Sequence, residues 1–128
     1  MKNYFIKEEY LNGKLAISFF GKKRKEFYDE VVSVNLVDCY TPNGYVYIDT
    51  NNYPFVAELI EKEGIGEDTG IKGYSGFCQY PLFKIFTDKL WERKDVEVDI
   101  LNYWVEKLSF LFRSGTVQPP VGWKEIKN

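Results

Sequence analysis

Residues 4–20, YFIKEEYLNGKLAISFF, decide the fold class. At their centre Asn12-Gly13 is the strongest two-residue turn signal, because both positions tolerate positive φ. Folding the stretch about that pair sets Tyr10 against Leu15 and Ile6 against Phe19. Ile6, Tyr10, Leu15, Ile17 and Phe19 then share one face of an antiparallel hairpin.

A second hairpin follows. Val32, Val34 and Leu36 alternate with Ser33 and Asn35, the chain turns at Thr41-Pro42-Asn43-Gly44, and it returns as Tyr45-Val46-Tyr47-Ile48-Asp49. Two hairpins in succession imply a meander. The period then changes. Asn51-Asn52 offers a cap, Pro54 suits a first helical turn, and Phe55, Val56, Leu59 and Ile60 form an amphipathic stripe. Glu58 and Lys62 sit at i,i+4 on the wet side, and Gly64 ends the helix in the left-handed conformation. Five glycines between Gly64 and Gly76 predict a loop. Phe77 to Phe86 reads as a strand, at an edge or bulged, because Pro81 has no ladder donor.

The last element repeats Val98, Leu101, Val105, Leu108 and Phe112 at alternating three- and four-residue spacing, the stripe of a long helix that closes the core. Asp95 is its expected cap. Ser114-Gly115 ends it, and residues 115–128, with Gln118-Pro119-Pro120, read as an extended tail. The order of elements predicts one α+β domain over residues 1–128: an antiparallel sheet, built from two N-terminal hairpins and a later strand, covered by one short and one long amphipathic helix.

Composition narrows the function classes. The chain of 128 residues is large enough to bury a core without metal or disulfide staples. Ten Tyr, ten Phe and three Trp supply that core with rings. A net charge of −2 indicates neither a strongly basic nucleic-acid binder nor an acidic DNA mimic. Charge is unevenly spread: residues 51–100 hold ten acids and six bases, whereas Lys22-Lys23-Arg24-Lys25 is a compact basic run. Charged residues interrupt every apolar stretch, so neither a signal peptide nor a membrane span is expected. The two cysteines read as reduced thiols, and a cytoplasmic protein is expected.

With no histidine, Ser-His-Asp and Cys-His catalysis is excluded. Two cysteines fall short of a protein-only zinc site, and no metal or other cofactor is expected. Cys78 lacks adjacent cations to lower its pKa, and Cys39 ends a valine-rich strand, so both read as structural. The stretch from Gly64 to Gly70 follows a helix and carries Glu67 and Asp68. A phosphate loop instead follows a strand and leads into a helix. Glu61, Glu63, Glu67 and Asp68 read as a solvated acidic face, or as a patch for a basic partner. Lys22, Lys23, Arg24 and Lys25, close to Phe19, Phe20, Phe27 and Tyr28, mix charge with rings as single-strand nucleic-acid surfaces do. They also read as a solvated connection.

Three strings carry a resemblance. They are Asp49-Thr50-Asn51-Asn52-Tyr53-Pro54, then Gly66-Glu67-Asp68-Thr69-Gly70, then Ser75-Gly76-Phe77-Cys78-Gln79-Tyr80-Pro81-Leu82-Phe83. Over residues 45–90 the chain resembles a family of small bacterial proteins catalogued only as a domain of unknown function, met in conjugative elements and phages. The resemblance implies a context and no catalytic residues.

Asp49, Asn51, Asn52, Thr69, Ser75, Cys78 and Tyr80 form the candidate ligand- or partner-binding cluster, since strand-to-helix junctions and glycine-rich loops often hold small polar ligands. The same residues serve equally as helix caps and turn formers. The expected function is a non-catalytic binding protein of a phage or mobile element that inhibits or sequesters a host component, as a protein inhibitor or small-ligand sponge with an anti-defence role. Its partner would be a host protein or a small polar ligand, and a homodimer is compatible with the surplus of rings. One alternative is a nucleic-acid-binding accessory protein acting through Lys22–Lys25. Another is an enzyme using carboxylate or Cys78 thiol chemistry.

Overall fold

The structure, a computed structural model, describes residues 2–116 together with Gln118 and Val121. Residues 2–92 form one compact unit and residues from 93 onward a second. The first unit runs β1 (Tyr4–Glu9), β2 (Leu15–Lys23), β3 (Glu26–Val31), β4 (Ser33–Val34), β5 (Tyr45–Ile48), α1 (Val56–Lys62), β6 (Gly66–Ser75) and β7 (Cys78–Ile85). A three-stranded sheet has the order β1-β2-β3 and a four-stranded sheet the order β4-β5-β7-β6, with every named pair antiparallel. With two helices this is an α+β fold.

The first hairpin forms with its register one residue away from the expected one. Tyr10 donates to the Lys14 carbonyl at 2.9 Å, and Gly13, at φ +83°, donates back to Tyr10. Leu11, Asn12 and Gly13 therefore make a three-residue loop, which favours a left-handed residue at its third position. Phe5 faces Phe19 and Lys7 faces Ile17. A one-residue slip moves side chains to the other face, so Ile6 and Tyr10 lie opposite the face that holds Ile17 and Phe19.

β3 was absent from the sequence expectation. Arg24 and Lys25 are a two-residue turn, with Lys23 paired to Glu26 across it. The chain then crosses between sheets at Val32. Its N–H donates to the Ile17 carbonyl of β2, and its carbonyl accepts from Asp49 beyond β5. The expected strand Val32–Leu36 thus ends early, at Val34, where the chain leaves for a turn closed by Cys39 N–H on the Leu36 carbonyl. The turn before β5 forms as expected, with Gly44 at φ +83° and Tyr45 donating to Pro42.

The glycine-rich stretch is a strand, which corrects the loop expected there. β6 pairs with β7 from Gly66↔Ile85 to Ser75↔Cys78, with a bulge between Asp68 and Lys72. Two of its glycines serve close approach. A Cβ at Gly66 would stand 2.6 Å from the Lys84 carbonyl, and one at Gly73 would stand 2.6 Å from the Tyr47 ring. Gly70 and Gly76 take positive φ at the bulge and the hairpin turn. β7 is a central strand, not an edge; Pro81 is tolerated beside the bulge and beyond the last β5 pair, Tyr47↔Leu82.

The core gathers Phe5, Ile17, Phe19, Val46, Ile48 and Phe83 from the strands, Val32 from the crossing between the sheets, and Val56 and Ile60 from α1. Fully burying each such side chain contributes roughly 1.5–3 kcal/mol. Phe19 is the hub of the rings, 5.3 Å from Phe5, 5.7 Å from Phe55 and 6.2 Å from Tyr28. α1 starts later than expected. Phe55 is its N-cap residue with no side-chain hydrogen bond, so Asn51 and Asn52 do not cap it. At its end Gly64 (φ +70°) donates to Glu61 and Ile65 to Ile60, the two bonds of a Schellman closure.

The second unit contains α2 (Arg93–Arg113). Asp95 lies in its first turn and not at a cap. It ends as α1 does, with Gly115 at φ +77° donating to Phe112 and Thr116 to Leu111. Beyond Thr116, apart from Gln118 and Val121, the expected tail lies outside the described residues. Among the described residues no helix is long and apolar enough to cross a membrane.

Candidate functional site

The β2–β3 hairpin projects its turn beside the segment that enters α1. Between them lies an open cavity of about 560 Å³, lined by Lys23, Arg24, Lys25, Glu26, Tyr28, Pro54 and Phe55. The volume falls within the range of small-molecule sites, roughly 300–1,000 Å³. Each wall follows from the local fold. Strand alternation puts Lys23, Glu26 and Tyr28 on the same face as Phe19, because Lys23 pairs with Glu26 and Gly21 with Tyr28. Lys22 and Phe27 pair on the opposite face, where Phe27 stacks edge-on against Phe20 at 4.8 Å. The basic run is therefore divided: three cations reach the cavity and the fourth turns away.

Rings form the apolar side. Tyr28 and Phe55 are half-buried, with centroids 5.1 Å apart, and Tyr53 lies 6.3 Å from Tyr28. The packing of Tyr28 and Phe55 onto Phe19 fixes them, leaving little side-chain freedom to lose when a ligand arrives. The Tyr28 hydroxyl donates to Glu26 Oε2 at 2.6 Å. That hydrogen bond is the main cause that raises the Tyr28 phenol above its ordinary value of 10.0; desolvation and the Glu26 charge add to it, and Arg24 opposes it.

Arg24 carries a further cost. Its φ of 59° places a side-chain-bearing residue in the left-handed region, where glycine or asparagine is usual. Strained positions concentrate at functional sites, and the inference runs from the observed strain to a role.

The sequence-derived cluster occupies three places. Asp49 is buried; Oδ1 accepts from the Asn52 N–H at 3.2 Å and Oδ2 from the Asn52 amide at 2.9 Å. Asn51 is exposed in the same turn. Thr69 sits in the bulge, donating to the Leu82 carbonyl at 2.8 Å and accepting from Ile71. Ser75 and Cys78 pair at the tip of the β6–β7 hairpin, and half-buried Tyr80 faces Gly73. Thr69 and Ser75 are six positions apart along β6, about 20 Å of extended chain. Asp49 and Asn52 meet, and Ser75 and Cys78 meet. Cys78 is exposed, while half-buried Cys39 points its thiol at the Tyr74 carbonyl.

Sequence reasoning named the basic run and Tyr28 but missed Glu26, Pro54 and Phe55. The signal for Glu26 was its distance from Lys23, three residues across a two-residue turn. In sequence, Pro54 reads as a first helical turn and Phe55 as part of the amphipathic stripe of that helix. Among the described residues no group of three or more His, Cys, Asp or Glu could hold a metal ion. The model of a family described as Domain of unknown function (DUF4313) matches residues 6–104. No curated protein and no solved structure matches the chain.

Proposed function

We propose that this chain, which belongs to the family described as Domain of unknown function (DUF4313), is a non-catalytic binding protein that holds an anionic, ring-bearing ligand. One observation carries the reading: three cationic side chains stand around a cavity floored by the half-buried rings of Tyr28 and Phe55. Cations attract the charged end of a ligand and rings cover its apolar part. Strained Arg24 adds support. In a cytoplasmic protein of a phage or mobile element, such a cavity sequesters a host small molecule, which is the sponge form of an anti-defence role.

Native mass spectrometry of the protein taken from bacterial lysate tests it. An added mass of a few hundred daltons is expected, and it should disappear in the double variant Lys23→Ala, Lys25→Ala. Bare protein, or a ligand that the double variant retains, counts against the cavity. A second reading has its own observation: Phe27 is 54% exposed beside Lys22, off the cavity, as a base-stacking ring would be. A nucleic-acid-binding accessory protein would then show a salt-dependent shift of labelled single strands, lost when Lys22 is replaced by Ala.

A further inference from the structure

We infer that the ligand of this cavity is a mononucleotide with a guanine base, a reading that rests on the anionic-ligand site proposed above. Three groups on the wall divide the work. Lys23, Arg24 and Lys25 supply donors and positive charge for a phosphate. The rings of Tyr28 and Phe55 supply a surface for a flat base, and such stacking contributes roughly 1–3 kcal/mol per base. Neither feature selects among bases.

Glu26 does select. A carboxylate on the wall of an anion site repels phosphate, so its presence there calls for a donor on the ligand. Tyr28 engages one lone pair of Oε2 at 2.6 Å, which leaves Oε1 and the second lone pair of Oε2 to accept a pair of donors. Guanine presents two adjacent donors, its ring N–H and its amino group, along one edge. Adenine places an acceptor nitrogen on the corresponding edge, which would face the carboxylate oxygen lone pairs. A hydrogen bond to a charged group is the kind that discriminates strongly against a ligand lacking the donor.

The shape of the site favours a mononucleotide over a strand. Single-strand surfaces track about 4–16 nucleotides with successive cations and rings. Here the pleat sends Lys22 and Phe27 to the far face, so the basic run makes one pole and no track. The Arg24–Lys25 turn on the cavity wall also ends the hairpin, which suits a free ligand.

Isothermal titration of the full chain with GMP, AMP, guanosine and a guanine-rich single strand tests the inference. GMP should bind at least tenfold more tightly than AMP, with guanosine weaker for want of the phosphate. Glu26→Gln should collapse the GMP-to-AMP ratio towards one, weakening GMP and strengthening AMP as the carboxylate charge is lost. Equal binding of GMP and AMP, or a ratio unmoved by Glu26→Gln, overturns the guanine assignment. Tighter binding of the strand than of GMP overturns the mononucleotide.

Anilinonaphthalene sulfonate, an aromatic anion, separates the two levels. If it binds the wild type and not the Lys23→Ala, Lys25→Ala double variant while GMP does not bind, the anion cavity stands and the guanine inference falls. If neither probe binds, both fall.

Discussion

The Ser33 hydroxyl lies 3.0 Å from the backbone nitrogen of Ile17 and accepts its hydrogen bond, deep in the crossing between the two sheets. Val32 satisfies the carbonyl of the same residue. Where the neighbouring strand passes from one sheet to the other, a side chain takes over the place of a ladder bond. Ser33 also shares a 2.7 Å hydrogen bond with the Tyr10 hydroxyl. Ser33→Ala should cost about 1–3 kcal/mol, because it strands a buried N–H. Tyr10→Phe should cost less, about 0.5–1.5 kcal/mol, since Ser33 still serves Ile17. Urea unfolding of both variants gives the comparison, and equal losses would deny the bridging role.

Gly73 is held to glycine by contact and not by φ. An added Cβ would stand 2.6 Å from Tyr47 and 2.7 Å from Leu36. Tyr47 is anchored by its hydroxyl on the Tyr40 carbonyl at 2.8 Å, so the ring cannot withdraw freely. Gly73→Ala should destabilise by about 1–3 kcal/mol. Gly76→Ala, strained at φ +61° but with nothing within 4 Å of its Cβ, is the control for a purely conformational cost.

Stability and binding should part company at Arg24. Arg24→Gly relieves the left-handed strain and should raise stability by about 0.5–1 kcal/mol. The same change removes a cation from the cavity and should weaken ligand binding. Thermal unfolding and titration on one preparation read both effects. A variant that loses stability would show that the Arg24 side chain contributes more than its backbone costs.

The Glu26–Tyr28 pair makes a pH signature. With its folded pKa raised above 10.0, the Tyr28 phenol stays neutral in the folded protein where the unfolded chain already ionises. Its contribution to stability is therefore complete below about pH 10 and erodes as pH rises beyond it. Carbon-13 titration of the tyrosine Cζ signals should show Tyr28 titrating above the ordinary value, and Glu26→Gln should bring it down. A Tyr28 midpoint indifferent to that change would remove the hydrogen bond from the account.

Much of the fold could be read from local chemistry. Asn12-Gly13, Gly44, Gly64 and Gly115 all sit at turns or helix ends, and all four glycines have the positive φ that glycine alone adopts freely. What escaped was long-range. Ser33 reads as the wet position of an alternating strand, and only the sheet crossing buries it. Gly66 and Gly73 read as loop residues because nothing local reveals the backbone and ring packed against them.

The Asn51-Asn52 pair reads as a helix cap, yet buried Asp49 organises that turn instead. The site was half legible. Lys22 to Lys25 stood out, but the pleat that excludes Lys22 and admits Glu26 depends on the β2–β3 register. Phe55 reaches the cavity from some thirty residues further along the chain.

The bulge in β6 has a consequence for how this chain behaves in company. β6 is an edge of its sheet, and a long bare edge invites another polypeptide to dock and extend it. Asp68 and Thr69 bend Gly70 and Ile71 inward onto their own side chains, which interrupts the row of open donors and acceptors midway. A stray strand could match one half of that edge or the other, never both in one register. The two extra residues that interrupt the pairing of β6 thereby guard a crowded population of these molecules against zipping together into aggregates.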